Sequence, residues 1–157
     1  MTSEMRRKDR QLTEEETREL LMQGEYGVLS TICPDGTPYG VPMSYAVNDN
    51  VIYMHCSSAG GQRLTNIAHC SNACFTVIDH VELLPDKFAT KYMSAIVNGH
   101  ITVVSEEAEK RQAMMEILLK YSDEFIDKGQ RYLDAAIDKI DVIRFDITSM
   151  TGKGRKK

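Results

Sequence analysis

A chain of 157 residues that is 42% apolar and 27% charged fits one domain, which at this size removes roughly 70% of its unfolded surface from water. The net charge of −4 disfavours nucleic acid as a partner, and no apolar run approaches the roughly 18 residues that cross a bilayer. Met1 to Arg10 holds four basic residues with no apolar stretch behind them, so no secretory leader is expected and the cytoplasm is the expected compartment. Cys33, Cys56, Cys70 and Cys74 lack any Cys-x-x-Cys spacing and are expected as free, mostly buried thiols.

Residues 1–11 are polar and read as an N-terminal arm, mobile or draped on a neighbour. Thr13-Glu14-Glu15-Glu16 is a capping-box pattern in which a hydroxyl and a carboxylate each satisfy an orphan N–H, and it predicts a helix over Thr13 to Gln23. The apolar positions there, Leu12, Leu20 and Leu21, are few, so only one edge of that helix packs on the rest. Gly27 to Cys33 reads as a strand closed by Pro34-Asp35-Gly36-Thr37-Pro38, a hairpin turn with Pro and Gly at positions suited to each. Tyr39 to Val47 returns as a second strand, and Asn48-Asp49-Asn50 turns the chain again. Val51 to His55 is a third strand without polar alternation, expected to be buried on both faces.

Arg63 to His69 reads as a short helix, with Ala73 to Asp79 and Ser94 to Val104 as the next two strands and Gly99 as a bulge. Val81 to Met93 between them reads as a loop. Ser105 with Glu106 and Glu107 is expected to cap a helix to about Tyr121, whose Met114-Met115 fills core space, and Tyr132 to Ile137 is expected as another short helix. Asp141 to Thr148 alternates Val142, Arg144 and Asp146 against Ile143, Phe145 and Ile147, which gives one face to water and one to a core. Six short strands with few long helices imply a mainly β fold, a barrel or sandwich with peripheral helices, as a single domain over 1–157. Gly152 to Lys157 reads as a basic tail, either solvated or making a local phosphate or dimer contact.

The chemistry is expected around His55 to Ile67, where a strand runs through a glycine-containing turn into a helix start that offers free backbone N–H groups to an anion. The His55-Cys56 and His69-Cys70 pairs match no closed metal-site spacing, and adjacent strand residues point to opposite faces, so no metal site is expected.

Leu29-Ser30-Thr31, Asp35-Gly36-Thr37-Pro38-Tyr39-Gly40-Val41-Pro42, Ile52-Tyr53-Met54-His55, Thr151-Gly152-Lys153 and the opening Met5 to Arg10 together resemble the flavin-binding split-barrel superfamily of pyridoxamine 5′-phosphate oxidases. Within it the chain is most similar to the nitroimidazole-resistance proteins. The resemblance implies a homodimer of six-stranded split β-barrels with FMN at the subunit interface and a small-molecule substrate. It places Val41, Pro42, Met43, Ser44 and Tyr45 beside the flavin ring. It places His55, Ser57 and Gly60 in the turn that approaches the phosphate, and Tyr92 and Ser94 at the entry to the fifth strand near the pocket.

Two positions depart from that pattern. Gln62 stands where the family has a phosphate-binding Lys, leaving Arg63 beside it as the cation that could serve, and Gly61 stands where some relatives carry a second His. The implied activity is FMN-dependent reduction of a small oxidised substrate, a nitroimidazole or another nitroaromatic among the candidates. With no dinucleotide fingerprint in the sequence, NAD(P)H would be a transient donor. Two other readings stay open: a flavin- or haem-binding protein without turnover, with His55 as axial ligand, and a dimeric module that has lost its cofactor.

Overall fold

The computed structural model describes residues 4–155, so Met1 to Ser3 and the last two residues of the basic tail, Lys156 and Lys157, lie outside the described residues. The capping box forms as expected: the Thr13 hydroxyl accepts from Glu16 N at 3.1 Å, and Glu16 accepts from Thr13 N at 2.9 Å. It starts helix α1 (Glu14–Gln23), which buries Thr17, Leu20 and Leu21 against the sheet. On its other side Arg18 donates to the Asp49 carbonyl and to Asn50, tying α1 to the turn ahead of the third predicted strand.

The hairpin signal is also met. β1 (Gly27–Ile32) and β2 (Pro38–Met43) pair antiparallel, and Cys33 N donates to the Thr37 carbonyl at 2.9 Å across the turn. The strand expected over Tyr39 to Val47 is cut at Ser44-Tyr45. Its remainder, β3 (Ala46–Asn48), pairs with β4 (Val51–Ser57) at the opposite edge of the sheet. With β5 (Asn72–Leu84), β6 (Ala89–Val103) and β7 (Ile140–Arg155) the described residues form one antiparallel sheet in the order β2-β1-β5-β6-β7-β4-β3. The sheet curls into a split barrel that hydrogen bonds do not close. Its two edge strands are successive pieces of one chain segment, joined only through Ser44-Tyr45.

The barrel interior is filled by Leu29, Ile52, Met54, Phe75, Val97 and Phe145, each fully buried and each contributing about 1.5–3 kcal/mol relative to exposure. Tyr45 packs edge-on against Phe75, ring centroids 4.8 Å apart. Helix α3 (Glu107–Tyr121) lies on the outer side of β4 and β7, where Tyr53, Ala113 and Val142 make a second apolar contact layer. This covers β4 on both faces as expected, and it buries Val142, which the alternation had placed on the watered face. At the margin of that layer Glu109 accepts from the Tyr53 hydroxyl at 2.8 Å and from Arg144 at 2.5 Å. The guanidinium, with help from the hydroxyl, holds the Glu109 carboxyl below its usual range, and burial with Glu109 beside it pushes the Tyr53 phenol up to about 12.

Several expected boundaries shift. The region expected as loop from Val81 to Met93 is instead the end of a long hairpin, because β5 and β6 continue pairing past a register shift at Asp79/Glu82 to Leu84↔Ala89. The Glu82–Lys91 ion pair at 3.1 Å bridges this arm. β7 runs on through Gly152, Lys153 and Gly154, so the described part of the basic tail is strand rather than solvated chain; Gln11 of the N-terminal arm bridges to Lys153. The C-terminal helix is longer than expected, α4 (Ile126–Ala136), and α3 begins at Glu107 with no side-chain cap, so Ser105 does not serve there. Gly99 sits at a register shift in β6, as expected of a bulge. The four cysteines are free, but only Cys56 is buried.

Candidate functional site

The break at Ser44-Tyr45 takes two residues out of the sheet ladder, and their backbone groups need other partners. The C-terminal end of α3 supplies them. The Tyr121 hydroxyl accepts from Tyr45 N at 3.0 Å and donates to the Glu25 carbonyl, while Lys120 Nζ donates to the Tyr45 carbonyl at 2.9 Å and lies 3.7 Å from the centre of the Tyr45 ring. Burial lowers the Lys120 ammonium to about 8. Tyr45 itself is fully enclosed, its hydroxyl donating to the Leu21 carbonyl at 2.5 Å, and burial raises its phenol far above the usual value.

Beside this latch, α3, helix α4 and the barrel border a cleft of about 610 Å³. Ser44 and His55 form its barrel side. Met114, Ile117, Leu118, Phe125 and Leu133 make an apolar wall, with Tyr121, Tyr132, Ser122, Gly129 and Lys128 completing the lining. His55 is on β4, directly opposite Val142 of β7, and points to the helix side. Its Nδ1 is buried and has no hydrogen-bond partner among the described residues. Burial, and next to it the charge of Arg63, lowers its pKa, so the imidazole is neutral at pH 7.

Behind His55, β4 ends at Ser57, whose hydroxyl accepts from Ala59 N at 3.2 Å. The chain then passes through Gly60 and Gly61 at φ 96° and 130°, which only glycine adopts readily. A Cβ at either position would meet nothing within 4 Å, so this turn is open to approach. Gly61 precedes helix α2 (Gln62–His69) without side-chain capping, leaving the N–H groups of the first turn pointing outward.

Gln62, in the family's Lys position, is committed elsewhere: its amide donates to Asn66 at 2.8 Å and approaches Cys33 Sγ at 3.7 Å, while Asn66 donates to Thr31 at 2.9 Å. Arg63 is half-buried and forms no ion pair among the described residues. Its Nη1 reaches only the thioether of Met43, at 2.8 Å, a weak acceptor. The structure thus gathers Met43, Ser44, His55, Gly60 and Arg63 around one end of the barrel.

Other predicted residues lie apart from that cluster. Val41 points inward against the core, and Pro42 is on the outer sheet face beside Val28. Tyr92 and Ser94 pair with Arg155 and Lys153, and the Ser94 hydroxyl donates to the Lys153 carbonyl at 3.4 Å. Since Val142, beside His55, is at the other end of β7, roughly 36 Å of strand separates the two groups. Sequence reasoning missed the helical wall altogether. Met114 packs against the Tyr53, Ala113 and Val142 layer, as expected of core filler, and also reaches the cleft, while Ile117, Leu118, Phe125 and Lys128 carry no motif that separates a cleft wall from ordinary packing.

The split barrel, with a ligand-sized cleft where its edges meet, defines the class of protein. The chain belongs to the family described as pyridoxamine 5′-phosphate oxidase, whose model matches residues 13–154. Among curated proteins nothing matches the chain. Solved structures do. A 5-nitroimidazole antibiotic resistance protein from Bacteroides thetaiotaomicron superposes with a TM-score of 0.78 at 23% identity, over 92% of this chain and 86% of that one. The flavocytochrome Anf3 of Azotobacter vinelandii gives 0.82 at 19% identity, over 99% and 74%. An FAD-binding protein from Mesorhizobium loti gives 0.70 at 18% identity, over 94% and 98%. At these identities the likeness is one of fold. No helix among the described residues is long and apolar enough to cross a membrane.

Proposed function

We propose that this protein is an FMN-dependent oxidoreductase of a small oxidised substrate, a nitroaromatic compound among the candidates, working as a homodimer with the cofactor at the subunit interface. The observation that carries this reading is the convergence of Ser44, His55 and Arg63, in which an imidazole nitrogen and a half-buried guanidinium both lack adequate protein partners. The residues fit a phosphorylated flavin. Arg63 and the outward N–H groups of α2 would hold the phosphate, supported by the positive end of the helix dipole, and the open Gly60-Gly61 turn lets it approach. Arg63 thereby takes over the task the family gives to the residue at Gln62. The name of the flavocytochrome and the description of the FAD-binding relative support a flavin in this fold.

Bound FMN supplies two-electron chemistry as hydride transfer. The protein's own contributions are positional. Neutral His55 can accept or hold a proton at Nδ1, and the Ser44 hydroxyl is a donor beside it. The wall of Ile117, Leu118, Phe125 and Leu133 gives half-buried His55 an apolar neighbour, while Ser44 is exposed. Tyr92 and Ser94 could act on the cofactor only across the interface, from a second copy.

The test is the visible spectrum of the protein purified without added cofactor, with mass spectrometry of what heat releases. A two-band flavin spectrum with FMN released is expected, and Arg63→Gln should lower FMN affinity about tenfold while leaving riboflavin, which has no phosphate, unaffected. Release of FAD would correct the cofactor, and a colourless protein that also refuses added FMN would overturn the reading. A second reading rests on the same unpartnered His55, since a neutral imidazole in an apolar cleft also suits an axial haem ligand. A Soret band in that spectrum would favour it.

A further inference from the structure

The cleft between α3, α4 and the barrel is larger and more one-sided in character than a cofactor contact needs. Ser44 and His55 occupy only its inner end. The rest is mostly hydrocarbon and aromatic surface on the helices, from Ile117 and Leu118 to Phe125 and Leu133, with Ser122, Lys128 and the Tyr121 and Tyr132 side chains adding polar groups, and the lining contains no Asp or Glu. Lys128, at the first part of α4, is exposed and lines the cleft, and it makes no ion pair among the described residues. An ammonium beside an apolar hollow without a carboxylate is complementary to a molecule with an apolar body and one anionic group. The volume of about 610 Å³ holds a fused two- or three-ring aromatic system, within the usual span of small-molecule sites.

We infer that this cleft is a binding site for small aromatic anions, with the ring system between α3 and α4, the anionic group at Lys128, and a polar ring substituent directed inward to Ser44 and His55. This names the substrate class of the proposed flavoprotein and rests on that reading for catalysis, although the binding itself does not require the flavin. The inner end of the cleft is shared with the proposed flavin contacts, so a ligand placed in this way has its inward substituent next to the redox centre.

The probe is naphthalene-2-sulfonate compared with its uncharged sulfonamide, titrated calorimetrically into protein whose visible spectrum has been recorded. Wild type should prefer the sulfonate by about fivefold, as expected of one partly solvated charge pair. Lys128→Gln should abolish the preference by weakening the sulfonate alone. Phe125→Ala, a change at an exposed position that the fold tolerates, should weaken both ligands equally by removing ring contact. Equal affinity of wild type for the two probes, or a sulfonate preference that survives Lys128→Gln, would overturn the assignment. So would binding of both that ignores Phe125→Ala, or hemin uptake with a Soret shift that displaces the probe and is lost in His55→Ala. A colourless protein that binds the sulfonate in the expected pattern fails the flavin reading alone, and a yellow protein that binds neither probe fails this inference alone.

Discussion

His55 sits where the protein satisfies neither of its protonation states well. The neutral ring leaves a buried Nδ1 without a partner, while the charged ring would be desolvated and would face the Arg63 guanidinium. Its folded pKa is therefore below the unfolded value of 6.5, so the unfolded chain binds the extra proton first as pH falls. Stability contributed by the neutral His55 is fully present above about pH 6.5 and is lost progressively as pH drops through that value toward the depressed folded pKa. His55→Gln removes the titration, so its urea midpoint should fall less than that of wild type between pH 7.5 and pH 5. Parallel pH profiles for the two proteins would show that the imidazole is not held neutral by its site. The carboxylates that also respond to acid, such as Glu109 held down by Arg144, are common to both proteins and cancel in the comparison.

At the scale of elements, the feature on which the site depends is the interruption at Ser44-Tyr45. Breaking one strand in two sends β2 and β3 to opposite edges of the sheet and puts Ser44 in the cleft rather than in a ladder. The α3 terminus makes that interruption stable, because the Tyr121 hydroxyl serves both Tyr45 N and the Glu25 carbonyl. Tyr121→Phe leaves a part-buried N–H and a carbonyl without that partner and should cost roughly 1–2 kcal/mol in denaturant unfolding, with faster hydrogen exchange at the Tyr45 amide. An unchanged midpoint and a protected amide would mean that water replaces the hydroxyl completely. This latch also marks the boundary of what the sequence can reveal. The capping box at Thr13, the Pro34 to Pro38 turn, the Gly99 bulge and the doubly buried β4 all have local signals, and all were legible. Nothing between Tyr39 and Val47 announces a break at residues 44 and 45, since the partners that make it tolerable are Lys120 and Tyr121, more than seventy residues further on. The same holds for α4. Gly129 lowers local helix propensity, yet a Cβ there would lie 2.3 Å from a methyl of Leu118, so the residue that weakens the helical pattern is the one that lets α4 approach α3 and shape the cleft.

For the whole molecule, the uneven distribution of apolar surface matters most. The outer face of β1, β5 and β6 carries a row, Pro42-Val28-Thr76-Ile96-Thr151, set by the strand register, with Ile78 and Ser94 in the adjoining row. Val28, Ile78 and Ile96 are 37%, 60% and 44% exposed, and the hairpin arm continues the apolar surface through Val81 and Leu83. Soluble monomers rarely leave such a contiguous patch uncovered. The family resemblance implies a homodimer without assigning it a face, and the small hydroxyl-bearing and aliphatic residues here suit a close sheet-to-sheet contact between two copies. Val28→Glu with Ile96→Glu would place four carboxylates in a symmetric interface, where desolvation and like-charge repulsion oppose association, while the solvated monomer accommodates them. The double variant should sediment at the mass of one chain, keep its far-ultraviolet circular dichroism, and lose FMN at the same time. Loss of both properties together would tie the cofactor to the interface. A variant that remains dimeric would remove this face from the interface, and a monomer that keeps FMN would show that Ser44, His55 and Arg63 of a single chain suffice to hold it.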